Sequence, residues 1–273
     1  MKDLKGKVAA VTGAGSGIGR ALAVNLAKKG CNLAISDINC ETLQETAKIT
    51  GRSGVNVSTH VVDVTDRGQV YKYADDVVKE HEKVDIIINN AGAGAGNTIE
   101  DISYEDFEWV MNINLWGVIY GTKAFLPYLK KRPEGHIVNI ASINGIVPFP
   151  GSSPYNTSKF AVRGFNKSLI QELHGTSIGI TSVYPGGIKT NIVRNSRFYK
   201  STRPDKTHDD TIKKFDRVTM TSADRAARII ISGIERNNKR LLVGPDARLI
   251  DFMARLFPVT TTKIIGILVT RFQ

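Results

Sequence analysis

The sequence predicts an α/β protein: a doubly wound parallel sheet in one domain, followed by a lid and a C-terminal helical extension. Three observations carry this. Short apolar runs alternate with longer stretches of helical periodicity along most of the chain. The first run, residues 7–12 (KVAAVT), passes directly into Gly13-Ala14-Gly15-Ser16-Gly17-Ile18-Gly19. No repeat, linker or low-complexity break interrupts the alternation until a polar, basic stretch opens near residue 190. With 273 residues, 41% apolar and 23% charged, the chain can build one large core.

Taken in order, the glycine-rich loop opens a helix over 20–29 that stops at Gly30, and a strand over 32–37 closes in Asp37. Strand, glycine turn and helix together present backbone N–H groups and a helix start to an anion. An acid 24 residues after Gly13 falls where an adenosine ribose is held by its hydroxyls. A strand over 55–62 ends at Asp63-Val64, a position that can meet an adenine edge, and a helix is expected over 66–83. The strand 85–88 opens into Asn89-Asn90-Ala91-Gly92. One long helix is expected from Ser103, capped with Asp106, to about Lys131, with Pro127 as a kink candidate near its end. A strand over 136–140 leads to Ser142, and another over 178–184 leads to Pro185-Gly186-Gly187-Ile188-Lys189-Thr190. The lid spans about 190–221, a helix 223–237 and a last short strand 241–243.

Between Ser142 and Lys159 a Pro/Gly/Ser-rich segment gives way to a helix, with Ser153 as the expected N-cap and Pro154 as its first residue. Tyr155 and Lys159, four apart, then share a helical face. A free phenol has a pKa of about 10, and lowering it by two or three units takes roughly 3–4 kcal/mol. One cation 4–6 Å away, at an effective dielectric near 20, supplies about that much. The spacing suits a tyrosine acid/base, although the pair alone is a weak signal.

Composition narrows the remaining classes. Cys31 and Cys40 match no zinc spacing and make no disulfide framework, and the five His are scattered, so no metal site is expected. No run approaches the ~18 apolar residues of a membrane span. Only five strand-like residues precede the glycine loop, so no signal peptide is expected either. The formal charge of +11 is uneven: residues 194–217 hold eight Lys/Arg against four Asp, and residues 235–273 hold seven against three acids. No aromatic-interleaved or helix-turn-helix pattern accompanies these patches, which makes nucleic acid the least favoured partner.

These motifs together resemble the classical short-chain dehydrogenase/reductase family over roughly residues 5–245. They are Thr12-Gly13-x-x-x-Gly17-x-Gly19, Asn89-Asn90-Ala91-Gly92, Asn114-Leu115-Trp116-Gly117, Ser142, Tyr155-x-x-x-Lys159 and Pro185-Gly186. The resemblance implies a Rossmann-type fold and an NAD-dependent interconversion of a secondary alcohol and a ketone. It implies Tyr155 as general acid/base. Ser142 would hydrogen-bond the reacting oxygen. Lys159 would depress the Tyr155 pKa and hold the ribose, and Asn114 would anchor a water linking Lys159 to solvent. Asn114 could instead fill a helix kink, and Ser142 could cap a loop. The cofactor set it implies is Gly13, Ser16, Gly17, Ile18, Gly19, Asp37, Asp63, Val64, Asn90, Ala91, Gly92, Tyr155, Lys159, Pro185, Gly186, Ile188 and Thr190. Asp63 also has a structural reading, and Thr190 could cap the next helix. Asp37 favours NAD over NADP, since Ala14, Gly15, Ser16 and Ile38 offer no compensating cation and Arg20 lies a turn inside the helix. NAD in turn tilts the direction towards alcohol oxidation. The rival reading is a non-catalytic NAD-binding sensor or scaffold, which typically lacks part of the acid/base set.

A homo-oligomer, dimer or tetramer, in a reduced cytoplasmic setting is expected. The lid's Arg and Lys could suit an anionic group but are read as a solvated face. Residues 246–257 place Leu249, Ile250, Met253, Leu256 and Phe257 at helical spacing, and Ile264-Ile265-Gly266-Ile267-Leu268-Val269 follows Pro258. Two readings stand for residues 246–273: packing against the same or a partner subunit, or a peripheral membrane contact.

Overall fold

The computed structural model describes residues 1–198 and 207–272. β1 (Val8–Thr12) leads into α1 (Gly17–Lys28), β2 (Asn32–Asp37), α2 (Cys40–Gly51), β3 (Val57–Val61) and α3 (Arg67–His81). β4 (Ile86–Asn89) and the two-residue β5 (Ala95–Gly96) precede α4 (Tyr104–Met111), a π-helical turn (Asn112–Trp116) and α5 (Gly117–Leu129). β6 (Gly135–Ile140), a 3-10 turn (Ile143–Gly145), α6 (Ser153–Glu172) and β7 (Ile178–Pro185) follow, then the short β8 (Ile188–Lys189) and β9 (Arg197–Phe198). α7 (His208–Val218), β10 (Thr221–Ser222), α8 (Ala223–Glu235), β11 (Arg240–Val243), α9 (Pro245–Leu256) and α10 (Pro258–Phe272) complete the order. Residues 199–206 of the expected lid lie outside the described residues.

Seven strands form one parallel sheet in the order β3-β2-β1-β4-β6-β7-β11. Alternation along each strand sends successive side chains to opposite layers. Ala9, Val11, Ile86 and Ile88 meet Leu22 and Leu26 of α1 and Ile230 and Ile234 of α8. Val8, Ala10 and Ile87 meet Val70 and Val77 of α3 and Phe125 and Leu129 of α5. Both faces are covered, so the central strands β1 and β4 read as nearly unbroken apolar runs, while the edge strand β3 is only half-buried and carries Ser58, Thr59 and His60.

Two elements depart from the sequence reading. The helix α2 was not anticipated, because its run of Thr, Glu and Lys buries only Leu43, Thr46 and Thr50; Asn39 caps it by accepting from the Thr42 N–H at 2.9 Å. The helix expected from Ser103 to about Lys131 stays helical from Tyr104 to Leu129 but is widened by a π turn at Asn112–Trp116, while Pro127 sits inside α5 without ending it. The extra residue of a π turn re-aims a side chain inward, and Asn114 is fully buried there.

A buried amide chain crosses the sheet beneath the loops. Asn89 Nδ2 donates to Asn139 Oδ1 at 2.7 Å, Asn139 Nδ2 to Asn166 Oδ1 at 2.6 Å, and Asn166 Nδ2 to Ser182 Oγ at 2.7 Å. It ties β4, β6, α6 and β7 in one register, since leaving any such buried group unmade costs about 1–3 kcal/mol.

Histidine burial makes stability depend on acidity. His136 is buried with Nε2 2.8 Å from Thr181 Oγ1, and burial pushes its pKa down to about 3. His60 and His81, which share the Ser58 hydroxyl at 2.8 and 2.9 Å, shift downward for the same reason. The folded state favours the neutral rings, so this contribution is complete above about pH 6.5 and is lost as pH falls towards the folded values. Urea unfolding should show stability declining below pH 6 by up to about 1.4 kcal/mol per pH unit for His136, with His60 and His81, which are partly exposed, adding in the same direction. His136→Gln should flatten that slope, and an unchanged slope would show that His136 does not contribute to it.

Candidate active site

The chain reverses its direction of sheet growth between β1 and β4, and the crevice outside their C-terminal ends is where an open α/β sheet binds ligands. Two loops meet there. Thr12 Oγ1 accepts from the N–H groups of Asn90 and Ala91 at 3.0 and 3.1 Å, and Asn90 Nδ2 donates to the Thr12 and Gly13 carbonyls at 2.9 and 3.1 Å. Gly13 has φ 65°, and a Cβ on it would stand 2.8 Å from Ala91 Cα, so this approach requires glycine. Ser16 is the N-cap of α1 but makes no side-chain cap bond, which leaves its hydroxyl and the first-turn N–H groups at the crevice.

Asp37 lies at the end of β2. Its Oδ2 accepts from Gly15 N at 2.8 Å and its Oδ1 from Asn39 N at 3.0 Å. Arg20 bonds the Gly15 carbonyl at 2.9 and 2.5 Å, the Thr42 carbonyl at 3.1 Å and Glu45 at 2.8 Å, so its charge is committed to the loop. Asp63 Oδ1 accepts from Thr65 N and Oγ1 at 2.9 and 2.8 Å, and Val64 packs over the Gly117 face of α5. On the other side, a Cβ on Gly17 would lie 3.3 Å from Thr190 Cγ2, which sets the stretch after β7 against the start of α1. That stretch is held by Gly186 N donating to the Val243 carbonyl at 2.9 Å and Gly187 N to Asp246 Oδ2 at 2.6 Å.

Tyr155, Lys159, Ser142 and Asn114 converge at the C-terminal end of β6. Lys159 is buried and its Nζ donates to the Ile140 carbonyl at 3.0 Å, 5.5 Å from the Tyr155 ring centre. Asn114 holds Ala93 by two bonds of 2.9 Å, to its N–H and its carbonyl, and donates to Ser158 Oγ at 3.0 Å. A Cβ on Gly92 would sit 3.2 Å from Asn114 Oδ1 and 3.7 Å from Lys159 Nζ, so both side chains flank that backbone. Ser142 caps the 3-10 turn, accepting from Asn144 N at 3.1 Å. The turn reaches α6 because Gly145 has no side chain: a Cβ there would stand 2.5 Å from the Lys159 carbonyl oxygen.

Electrostatics in this arrangement differ from the expectation. Burial pushes the Tyr155 phenol above its usual value near 10, the Ser142 hydroxyl pulling the other way. Burial brings Lys159 down to about 8. The desolvated ammonium is bonded to Ile140, and its charge does not outweigh the burial of the phenol.

The N-cap of α6 is Ser152 rather than Ser153, and it makes no side-chain cap bond. Two arginines of the lid, Arg194 and Arg197, make specific contacts rather than facing only solvent. Arg197 pairs with buried Asp106 at 2.8 Å and lies over the Trp109 ring at 4.0 Å, while β9 pairs with β5. Arg194 pairs with Asp216 of α7.

A family model described as short chain dehydrogenase matches residues 7–200. The chain belongs to the short-chain dehydrogenase/reductase family. A putative oxidoreductase, SadH, of Mycobacterium tuberculosis is 38% identical over 276 residues, covering 100% of this chain and 98% of its own length. A crystal structure of a short chain dehydrogenase/reductase from Burkholderia phymatum in complex with NAD superposes with a TM-score of 0.84 at 30% identity, covering 94% of this chain and 96% of that one. Levodione reductase superposes with a TM-score of 0.80 at 29% identity, covering 90% and 99%.

In this short-chain dehydrogenase the structure adds residues that sequence reasoning passed over. Ser158 holds Asn114, Asp246 holds the 186–187 backbone, and Asn144 and Asn156 lie behind Ser142. None sits in a recognisable spacing, since each acts on a partner distant in sequence or on backbone. Gly145→Ala should force the 3-10 turn off α6 and displace Ser142, destabilising the fold by about 1–3 kcal/mol. Any oxidoreductase turnover should fall further than the loss of folded protein accounts for. Thermal melts and activity measured on the same preparation check this.

Proposed function

We propose that the protein is an NAD-dependent oxidoreductase that interconverts a secondary alcohol and a ketone. The observation that carries this is the convergence of Tyr155, Ser142, Lys159 and Asn114 beside a glycine-lined crevice. The residues at that crevice fit a dinucleotide: the unobstructed start of α1 suits a pyrophosphate. A Cβ on Gly15 would meet the Asp37 carboxylate at 2.8 Å, so the acid stands at the cradle wall. When bound, NAD supplies the hydride acceptor.

The chain's own residues do the rest. Gly13, Ser16, Gly17, Ile18 and Gly19 cradle the phosphates, and Asp37 accepts from the ribose hydroxyls. Asp63 and Val64 border the adenine, while Asn90, Ala91 and Gly92 carry the floor between the two halves. Pro185, Gly186, Ile188 and Thr190 bind the nicotinamide end, with Thr190 on the carboxamide. Tyr155 takes the proton from the alcohol or returns it to the carbonyl oxygen, and Ser142 hydrogen-bonds the same oxygen. Lys159 bonds the ribose, and Asn114 anchors a water that links it to solvent. A sensor on this fold would have no need of the complete set.

Tyr155→Phe should keep cofactor affinity within a few-fold and lower turnover by about 10²–10⁴. Because the phenol is raised, its phenolate fraction keeps growing across this range, so alcohol oxidation by the wild type should speed up from pH 7 to pH 10 while ketone reduction, served by the neutral phenol, changes little. Retention of more than about a tenth of activity in the variant would place the proton transfer on another group.

Asp37 meets the 2′ position and repels a phosphate there. Fluorescence titration should give NADH at least tenfold tighter binding than NADPH, about 1.4 kcal/mol. Equal affinities would remove Asp37 from the ribose.

The proposal extends to a cytoplasmic homo-oligomer with a peripheral membrane contact through the C-terminal helices. No helix among the described residues is long and apolar enough to cross a membrane. Leu249, Phe252, Leu256, Phe257 and Val259 are each more than half exposed on α9 and the start of α10, beside exposed Arg248 and Lys263. The side chains of Leu268, Val269 and Arg271 lie outside the described residues. Each basic residue near an anionic surface contributes about 1 kcal/mol. Phe252→Ser with Leu256→Ser should reduce co-sedimentation with phosphatidylserine vesicles, and salt should reduce that of the wild type. Unchanged sedimentation with a changed oligomeric state would make this surface a subunit interface instead.

A further inference from the structure

Behind Ser142 lies a hydrogen-bonded path that ends on backbone. The Asn156 side chain is nine-tenths buried and grips Phe149 at both polar atoms: Nδ2 donates to the Phe149 carbonyl at 2.8 Å, and Oδ1 accepts from the Phe149 N–H at 3.3 Å. Asn144 Nδ2 donates to the same Asn156 Oδ1 at 2.9 Å. Ser142 Oγ in turn lies 3.3 Å from Asn144 Oδ1 and donates to it, while accepting from Asn144 N at 3.1 Å.

The direction of every bond in this path follows from its far end. A backbone carbonyl only accepts and a backbone N–H only donates, so Asn156 must turn its NH2 to the first and its oxygen to the second. That oxygen also faces Asn144, which must therefore present its own NH2 there and its carbonyl oxygen to Ser142. An amide oxygen only accepts, so while Tyr155 is neutral the single proton of the Ser142 hydroxyl points along the path, and it lowers the Tyr155 pKa only by turning from Asn144 to the phenolate oxygen. With Asn144 N–H taking one lone pair, one acceptor position on Ser142 remains for the reacting side.

We propose that Asn144 and Asn156 are positioning residues that tie the Phe149 loop to the hydroxyl of Ser142, so that the place of this loop sets the direction of the Ser142 proton. The inference rests on the assignment of Ser142 to the reacting oxygen. It makes the pair a link between substrate seating and chemistry. Phe149 stands between Pro148 and Pro150 in a stiff segment, joined to the neighbouring loop by Asn97 N donating to the Gly151 carbonyl at 3.2 Å. A shift of that segment pulls on Asn156, then on Asn144, and frees the Ser142 proton to turn towards the Tyr155 oxygen, where it stabilises the phenolate.

The test uses the full chain with NAD and whichever of 2-propanol, 2-octanol and cyclohexanol the wild type oxidises fastest. Asn144→Ala, Asn156→Ala, the double variant and Ser142→Ala are compared by steady-state kinetics across pH, with NADH affinity by fluorescence. In both single variants KM should rise about tenfold and the acid limb of kcat/KM should move to lower pH by about half a unit or more. NADH affinity should stay within about twofold, and the double variant should be no worse than the worse single one. Multiplying effects, or an acid limb that does not move, would overturn the proposal by making the two amides independent packing groups. Wild-type turnover in Ser142→Ala would overturn the Ser142 assignment and this inference with it. An inactive Ser142→Ala beside an unaltered Asn144→Ala would overturn this inference alone.

Discussion

The buried ammonium of Lys159, bonded to the carbonyl at the end of β6, is the contact on which the site depends. Removing an ammonium from water is costly unless it is hydrogen-bonded, and a strand-end carbonyl provides that bond at a fixed place on the sheet. It locks one turn of α6 against β6. Tyr155 lies one turn earlier on the same face, and Ser158, the residue before Lys159, anchors Asn114 from the π turn. Gly145 then lets the Ser142 turn close onto the Lys159 backbone. Four groups from three elements, α6, the π turn and the 3-10 turn, are thus placed relative to a single helical turn.

The sheet beneath is held by contacts that tolerate little displacement. The amide chain from Asn89 to Ser182 joins three strands and α6, and each link is satisfied only in one register. Thr12 and Asn90 join the two loops of the crevice in the same manner. Asp246 works from outside the sheet. It belongs to α9, and its bond to Gly187 N makes the first turn of that helix part of the crevice floor.

That bond gives α9 two roles. Its inner side is anchored by Asp246, by buried Ala247 and by Asp251, which pairs with Arg240 and Arg255. Its outer side exposes Leu249, Phe252 and Leu256, residues that gain nothing from water contact. The bond to Gly187 and the exposed apolar residues thus lie on opposite sides of the same helix.

The alternation of strands and helices, the glycine turn and the shared helical face of Tyr155 and Lys159 were legible in the residues, because each depends on local periodicity or short spacing; Asn114 and Ser142 were singled out only by the family resemblance, since each lies far in sequence from the residues it joins. Helix α2 was not, since so little of it is buried that its pattern is faint. The π turn was not either: it needs an inward partner for Asn114, and Ala93 and Ser158 become that partner only after folding. The tertiary structure likewise decided the reach of Arg197 to Asp106 and Trp109, and the path from Phe149 through Asn156 and Asn144 to Ser142. It also decided the balance at Tyr155. Sequence spacing measures how near a cation can stand, but only burial measures what removing water from the phenol costs, and here the second effect is larger.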